Sequence, residues 1–323
     1  MLYPFTFHPI FKERVWGGRK LAELYGKPLP PGVPIGESWE ITDRPEGVSV
    51  IANGPLAGQD LRWLMENHAE ALLGRPAKKS ERFPLLVKIL DAREKLSLQV
   101  HPPAAKAAEL GGEPKSEMWY VADAAPDAEI YVGLKRAVTR AEFEQKIRAG
   151  TVAECLHRQP VKRGDAMFLP SGRVHALGGG NVIFEIQQNS DTTYRVFDWN
   201  RAGLDGKPRE LHLEPALASI DFSDFEPPLL PAKMPDAYGF GATCLSDNPL
   251  FTVFLSRDRA YQRASAEGIG LHVVALLEGR IEIRTRSHQL ALKAGDFCVV
   301  PACCRDVDFW PDTDAAYLRV IPK

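Results

Sequence analysis

A short run of alternating polar and apolar residues, SLQVHP from Ser97 to Pro102, contains the first side chains with metal-binding chemistry. Successive side chains of a β-strand point to opposite faces, so Ser97, Gln99 and His101 would share one face of a strand. Short alternating runs are also typical of half-exposed edge strands, and this run alone does not separate the two interpretations. Residues farther along the chain favour a site.

Two further motifs complete a set of donor atoms. Glu117 lies in KSEMWYV, a second strand-like run, and His175 follows a Pro-Ser-Gly turn in LPSGRVHAL. With Gln99 and His101, they offer one amide carbonyl oxygen, one carboxylate and two imidazoles. This mixed nitrogen and oxygen set suits Zn²⁺, with water or substrate completing an open catalytic site. The sequence therefore predicts one divalent metal ion per chain, bound by these four residues.

The composition restricts the class of protein. With 45% hydrophobic and 25% charged residues, the 323-residue chain is typical of globular proteins and long enough for one large or two smaller domains. A net charge of −2 predicts no nucleic-acid or membrane partner, so an anionic substrate would need a local cluster of basic side chains. No apolar run suits a signal peptide or a membrane span. The five cysteines form no CxxC pair, which indicates reduced thiols and a cytoplasmic location.

Short strand-like runs separated by Gly- and Pro-rich turns predict a β-sandwich or jelly roll. In NVIFEIQQ the alternation places Glu185 on one face with Ile183 and Gln187. KSEMWYVAD and AEIYVGLK flank Pro126-Asp127, which predicts a β-hairpin. Strands are also expected at residues 36–41 and 84–92, and the second of these, a nearly continuous apolar run, contains one lysine, Lys88.

Helical patterns at about 60–74 and 140–158 predict two insertions into the β fold. A Pro-rich, aperiodic segment at 223–236 predicts a linker between a catalytic domain, 1–222, and a C-terminal domain, 237–323. LKAGDFCVVPACCRD, from Leu292, repeats the pattern of VKRGDAMFLPSGRVH, from Val161. Eleven residues after the glycine, the first copy has His175 and the second has Asp306. The repeat predicts a duplicated barrel whose second copy lacks a metal ligand at that point.

The combination of SLQVHP, KSEMWYV, LPSGRVHAL and EIQQNSDTTYRVFDW resembles the class I mannose-6-phosphate isomerases in their short bacterial form. VWGG, GESWEI and PLLVKILDA also fit, and the similarity extends over most of residues 1–220. Ser116 departs from the pattern, since many members have proline there. The resemblance implies a mainly β fold: a cupin-type jelly-roll β-barrel with peripheral helices, plus a second, smaller cupin-like β domain.

The resemblance implies interconversion of mannose 6-phosphate and fructose 6-phosphate through an enediol, with zinc bound by the four residues named above. It further implicates Arg195, Lys115 and Glu185 in catalysis, and Ser97 and Arg201 in phosphate binding. Lys88 joins the phosphate group on our own argument, because a lysine in an apolar strand would either extend to solvent or face a polar cavity. Arg195 stays protonated and suits stabilisation of negative charge, whereas the base is left open between Glu185 and Lys115.

Two other functions use the same residues. One is a non-catalytic sugar-phosphate sensor, although a sensor would be expected to have lost part of the set formed by Arg195, Lys115 and Glu185. The other is a metal-dependent cupin enzyme such as an iron oxygenase, because two histidines and a carboxylate also bind iron(II). The glutamine ligand and the nearby basic residues favour the isomerase. The oligomeric state is not predicted.

Overall fold

The structure is a computed structural model that describes residues 2–231, 242–265 and 270–323. The chain forms two compact units, each discontinuous in sequence. The first unit comprises Phe11–Ser38 and Val87–Leu230, and the second comprises Met1–Ile10, Trp39–Leu86 and Pro231–Lys323. The predicted domain limits, 1–222 and 237–323, differ from this division and stay a prediction. Residues 232–236 of the predicted linker, 223–236, lie outside the described residues.

Strands dominate the chain up to residue 230, and five helices flank them. The strands are β1 (Ile10–Gly18), β2 (Ile35–Ile41), β3 (Asp43–Arg44), β4 (Gly47–Val48), β5 (Leu85–Ala92), β6 (Leu98–Val100), β7 (Glu117–Ala124), β8 (Glu129–Leu134), β9 (Leu156–Pro160), β10 (Ala166–Leu169), β11 (His175–Leu177), β12 (Asn181–Gln188) and β13 (Tyr194–Phe197). The helices are α1 (Lys20–Tyr25), α2 (Leu61–Leu73), α3 (Ala104–Ala107), α4 (Arg140–Ala149) and α5 (Leu213–Ser219), with a 3₁₀ turn at Val152–Cys155.

Two sheets form the barrel of the first unit. One has the strand order β1-β2-β5-β12-β7-β10 and the other has the order β13-β6-β11-β8-β9. A shared apolar core contains Trp119 and Ile183 of the first sheet and Val132 and Leu177 of the second. The predicted mainly β, cupin-type fold is confirmed, and the functional side chains lie on the strand faces that point into this barrel.

The predicted hairpin at Pro126-Asp127 is wrong. β7 pairs with β10 and β12, whereas β8 pairs with β9 and β11 in the other sheet. Trp119 of β7 and Val132 of β8 belong to one core, so the two strands face each other across the barrel. Alternation predicts a strand's buried face but does not predict which neighbour completes its hydrogen bonds.

The first predicted helix, at about 60–74, agrees with the structure, whereas the second, at about 140–158, ends at Ala149, where Gly150 adopts φ 70°, and strand β9 begins at Leu156. The Asp60 carboxylate accepts a hydrogen bond from the Trp63 backbone N–H at 2.7 Å, and α2 ends at Gly74 with φ 76°. Thr139 caps α4 through the backbone N–H of Glu142 at 3.2 Å. Within the described part of the chain, no helix is both long and apolar enough to cross a membrane.

The second unit also contains two sheets, ordered β14-β15-β22-β17-β20 and β16-β21-β18-β19. Its core includes Val274, Cys298, Phe309 and Tyr317, which come from both sheets. The strands are β14 (Thr243–Asp247), β15 (Phe251–Asp258), β16 (Ala264–Ser265), β17 (His272–Glu278), β18 (Arg280–Arg284), β19 (Gln289–Lys293), β20 (Phe297–Val300), β21 (Asp308–Pro311) and β22 (Ala315–Pro322).

The Gly-Asp turns of the sequence repeat have the same structure. Gly164 and Gly295 have φ values of 94° and 85°, in the left-handed region that favours glycine. The Asp165 and Asp296 carboxylates each accept a hydrogen bond from the backbone N–H of the residue three positions earlier, at 2.8 and 2.9 Å. Each turn then leads into an equivalent strand, β10 or β20.

Candidate active site

The four predicted metal ligands come from neighbouring strands of the first barrel. Gln99 of β6 lies opposite His175 of β11 in the antiparallel register. His101 follows β6 directly, and Glu117 begins β7 in the other sheet. His101, Glu117 and His175 are at most 1% exposed, and their donor atoms lie within 4.8 Å of one another. The structure therefore brings all four predicted residues together.

The spacing of the donor atoms fits a small tetrahedral metal ion. His101 Nε2 lies 3.5 Å from Glu117 Oε2, and His175 Nε2 lies 3.3 Å from Glu117 Oε1. Zinc bonds of about 2.0–2.1 Å in tetrahedral geometry separate ligand atoms by about 3.3–3.4 Å. Among the described residues, His101 Nε2 and both Glu117 oxygens are buried without a hydrogen-bond partner. Buried polar atoms left in this state indicate a missing ligand.

Hydrogen bonds fix both imidazole rings. His101 Nδ1 lies 2.8 Å from the Thr192 carbonyl oxygen and His175 Nδ1 lies 2.9 Å from that of Arg173. A carbonyl only accepts, so each Nδ1 carries the proton and each Nε2 keeps its lone pair for a metal. Gln99 Nε2 lies 3.4 Å from His175 Nε2, and rotation of the amide exchanges this nitrogen for the ligating oxygen.

Electrostatics favour the protonation states that bind metal. Burial, together with the charge of Lys115, lowers the pKa of His101 to about 3 and keeps its ring neutral. Burial acts to raise the pKa of Glu117, but Lys115 Nζ, 3.2 Å from Oε2, and the two imidazoles outweigh it and hold that pKa well below its usual value. A neutral imidazole and an ionised carboxylate are the ligand forms of these side chains.

A cavity of about 590 Å³ reaches this group of ligands. Its lining contains most of the residues predicted for catalysis and substrate binding, together with acidic and basic residues that the sequence did not indicate. The predicted members are Lys88, Ser97, Gln99, Lys115, Glu185 and Arg195.

Glu185, the predicted catalytic carboxylate, lines this cavity and is not one of the four predicted metal ligands. Trp119 Nε1 donates a hydrogen bond to Oε1 at 3.0 Å, and Lys88 Nζ lies 3.4 Å from Oε2. The side chain is 4% exposed, and burial and the charge of Glu117 raise its pKa. A fixed carboxylate with a raised pKa suits a general base.

The two lysines of the cavity are both surrounded by acidic groups. Burial acts to lower the pKa of Lys115, but Glu117, Glu185 and Asp191 together raise it. Lys88 Nζ lies 3.4 Å from Glu185, 3.7 Å from Glu37 and 3.9 Å from Asp191. Of the two positions considered for Lys88, the structure places it in a polar cavity. Both lysines therefore act as cations that balance buried carboxylates.

The predicted arginines lie in different places. Arg195 of β13 lies opposite Gln99 of β6 and lines the cavity, where burial lowers its pKa. Arg201 lines a separate cavity of about 920 Å³ and is paired with Asp198 at 2.9 Å. The structure therefore does not bring Arg201 into the cavity that holds the other candidate residues.

Three comparisons with known proteins agree. Residues 5–146 match the family model for the phosphomannose isomerase type I catalytic domain. The chain is 37% identical to a mannose-6-phosphate isomerase of Streptococcus mutans, over 97% of each chain. The crystal structure of the mannose 6-phosphate isomerase from Bacillus subtilis is 31% identical and covers 99% of each chain with a TM-score of 0.88. The chain belongs to the type I phosphomannose isomerases.

The predicted family and class of enzyme are thus confirmed, and the sensor and oxygenase alternatives are not favoured. A zinc-bound mannose 6-phosphate isomerase structure shares the fold over 100% of each chain, with a TM-score of 0.78 at 20% identity. That likeness shows the fold alone. In this family member, the metal site at His101, Glu117 and His175 is inferred from the geometry of the chain's own donor atoms.

Three cavity residues of this phosphomannose isomerase relative were missed at the sequence level. Glu37 pairs with Arg14 at 2.7 Å and lies in GESWEI, so a charged residue within a strand was the available signal. Asp191 follows β12 in a run with no periodicity. Arg209 lies in an irregular segment of mixed charge, where nothing in the sequence separates it from a surface arginine.

Proposed function

We propose that this protein interconverts mannose 6-phosphate and fructose 6-phosphate. One observation carries the proposal: the inward-facing donors of His101, Glu117 and His175 have tetrahedral spacing beside a cavity that also contains Glu185 and Arg195. The chain's family membership over nearly its whole length supports the same reaction. A sugar phosphate is then the small-molecule substrate.

The proposed metal is one Zn²⁺ per chain, held by Gln99, His101, Glu117 and His175. When bound, such an ion supplies Lewis acidity that polarises the C1 carbonyl and the C2 hydroxyl and stabilises the enediolate. The two orphaned oxygens of Glu117 and the paired Nδ1 atoms of the histidines support this assignment.

The proposed base is Glu185. It accepts the proton from C2 of the open-chain aldose and delivers it to C1, while the hydroxyl proton on O2 passes to O1, so the ketose forms without net loss of a proton. The Trp119 hydrogen bond fixes one oxygen, so Oε2 is the atom that holds the proton. Lys115 has a raised pKa, so it keeps its proton and serves as a hydrogen-bond donor and charge partner rather than as the base.

The phosphate group is proposed to lie near Ser97 and Arg195. Ser97 lines the cavity and Arg195 faces it from the neighbouring strand. The three carboxylates around Lys88 support a role for this lysine in positioning Glu185 rather than in binding phosphate. Arg201 has its own cavity and its own carboxylate, so its position gives no support to direct contact with substrate.

The location of the protein belongs to the same proposal. All five cysteines are free thiols, which supports the cytoplasmic location predicted from the sequence. The charge of a sugar phosphate prevents its passive passage through a bilayer, which suits an enzyme that meets this substrate in the cytoplasm.

The test is a coupled assay of fructose 6-phosphate formation on protein stripped with chelator and then supplied with Zn²⁺. We expect activity to disappear with the metal and to return in proportion to metal bound per chain. The chelated protein without added Zn²⁺ is the control for residual metal. Folded, zinc-loaded protein that converts no mannose 6-phosphate would overturn the proposal.

A further inference from the structure

The end of the active-site cavity near Arg195 contains a second arginine, Arg209. Arg209 lines this cavity and donates from Nε and Nη2 to Asp198 at 2.7 and 2.5 Å. Arg201 binds the same carboxylate from the neighbouring cavity, so Asp198 serves two guanidinium groups at once. In the described part of the chain Arg195 forms no ion pair. Asp205 also lines this cavity, so this end contains carboxylates as well as arginines, and Arg195 is the arginine among them without a carboxylate partner within the described ranges.

These arginines retain unused hydrogen-bond donors. Arg195 Nε is buried and has no partner among the residues that the structure describes. Arg209 uses Nε and Nη2 for Asp198, which leaves Nη1 available on the cavity side. After burial, the charge of Arg209 is the largest influence that lowers the pKa of Arg195, so the two cations lie close together. A dianion between them would satisfy both the donors and the unpaired charge of Arg195.

The position of these donors suits one end of a bound sugar phosphate. Arg195 lies opposite Gln99, a predicted metal ligand, and Ser97 is on the same strand face as Gln99. Arg195 is thus the cross-strand neighbour of a ligand and Arg209 lines the same cavity, so a sugar phosphate whose reacting carbons lie at the ligands shares its cavity with both arginines. We propose that Arg209, together with Arg195, binds the substrate phosphate, and that Arg201 only positions Asp198 from outside the cavity. This inference rests on the proposed function.

The experiment compares Arg209→Gln, Arg201→Gln and a matched control, Arg158→Gln. Arg158 is a surface arginine that pairs with the carboxylate of Glu129 through two hydrogen bonds, as Arg209 does with Asp198. We expect Arg209→Gln to raise KM for mannose 6-phosphate and the inhibition constant of inorganic phosphate by about 10–100-fold, with a smaller change in kcat. Arg201→Gln should raise KM less, and Arg158→Gln should match the wild type.

A second variant separates binding from folding. Arg209→Lys keeps the charge but loses the paired donors, so it should recover part of the lost affinity. Circular dichroism and melting temperature identify any variant that fails to fold. Unchanged KM and phosphate inhibition in folded Arg209→Gln, or an equal or larger effect of Arg201→Gln, would overturn the inference.

The inference and the proposed function fail in different ways. If the wild-type enzyme shows no isomerase activity, the proposed function is wrong, and calorimetric titration of zinc-loaded protein with inorganic phosphate still tests Arg209. Binding by the wild type that is lost in Arg209→Gln supports the phosphate site. Equal binding by both proteins, or none by the wild type, rejects it.

Discussion

At two equivalent interior positions the first barrel has carboxylates, whereas the second has a histidine and an arginine. Glu117 of β7 lies opposite Leu169 of β10, and His272 of β17 lies opposite Val300 of β20, five residues after the repeat glycine in each case. In the adjacent strands, Glu185 corresponds by register to Arg319. The carboxylates of the first barrel are thus replaced by basic side chains in the second.

The remaining ligand positions differ as well. In the second barrel Phe309 pairs with Ile283, as Leu177 pairs with Ile130 in the first, and Ile130 and Ile283 each pair with the strand residue five positions before the repeat glycine. The position equivalent to His175 is therefore Val307, a buried residue of the second core. Phe309 belongs to the apolar core there, and His272 packs against its ring at 6.3 Å between centroids. The same sheet pairing and the same turn thus support a metal site in one barrel and a filled core in the other. The chemistry depends on a few inward-facing residues and not on the fold.

The largest expected difference follows from Glu117→Gln and its counterpart His272→Gln. The first variant should lose bound metal and at least about 10³-fold in kcat, because a neutral amide cannot replace the carboxylate charge. His272→Gln should keep both the bound metal and the wild-type kcat. Metal content by mass spectrometry and turnover in the coupled assay measure the effect. Retained metal in folded Glu117→Gln would falsify the ligand assignment.

Glu185→Gln should lower kcat by about 10²–10⁴-fold while the protein keeps its metal, because the amide cannot accept the substrate proton. Trp119→Phe, which removes the hydrogen bond to Oε1 together with part of the buried ring, is the milder companion and should lower kcat less. Metal content and single-turnover rates are measured together. Loss of metal in Glu185→Gln would mean that this carboxylate belongs to the metal site.

Phe309→Ala should lower the free energy of unfolding by about 3–5 kcal/mol, since it removes a fully buried ring from the second core. His175→Ala, two positions before the equivalent residue Leu177, should cost less in metal-free protein because its ring contacts the polar side chains of Glu117 and Gln99. Denaturant unfolding of both variants without metal measures this difference. Equal losses would indicate that the first barrel is as tightly packed around His175 as the second is around Phe309.

Stability should respond to pH with opposite sign in the two units. Burial raises the pKa of Asp91 to about 6 from 3.8, and it lowers the pKa of His272 to about 4 from 6.5. Asp91 therefore reduces the free energy of unfolding as pH rises from about 4 to 6, whereas His272 increases it between about 4 and 6.5, each by about 3 kcal/mol.

Unfolding of Asp91→Asn and His272→Gln across this pH range separates the two effects. Relative to the wild type, Asp91→Asn should gain stability more steeply with rising pH, because the opposing contribution is gone. His272→Gln should gain it less steeply. A change of slope in the same direction for both variants would contradict the assigned signs.

The smallest expected effect concerns the Gly-Asp turn that both barrels contain. Asp165→Ala and Asp296→Ala each remove one side-chain hydrogen bond to a turn N–H, so each should cost about 1 kcal/mol. The asparagine variants are the controls, since the amide oxygen still accepts this bond. Thermal unfolding measures all four. A strongly unequal cost would show that the two turns differ in importance despite their common geometry.

The sequence predicted the parts of the site that depend on local pattern. Gln99 and His101 follow from alternation along one strand, and the turn before His175 follows from its glycine and proline. The repeat, counted along the chain, placed Asp306 at the position of His175. Strand pairing instead places Val307 there, one residue later, because spacing within a loop does not determine strand register.

Long-range organisation was less predictable. The predicted hairpin after β7 was wrong because β7 and β8, which are neighbours in the chain, belong to different sheets. Arg201 and Arg209 lie in one irregular segment, and only the folded backbone determines which of them reaches the cavity. Predicting Glu37 as a cavity residue would have required knowing that Lys88 faces the same cavity. Such pairings connect residues far apart in sequence, for which a single chain contains no pattern.

The brevity of β6 restricts how this enzyme can change over evolutionary time. Leu98 and Val100 fill an apolar core on one side of the strand, while Ser97, Gln99 and His101 serve the cavity on the other. Deleting or inserting a single residue here would exchange the two sets, expelling the ligands and the core residues together. This stretch can therefore diverge by substitution alone.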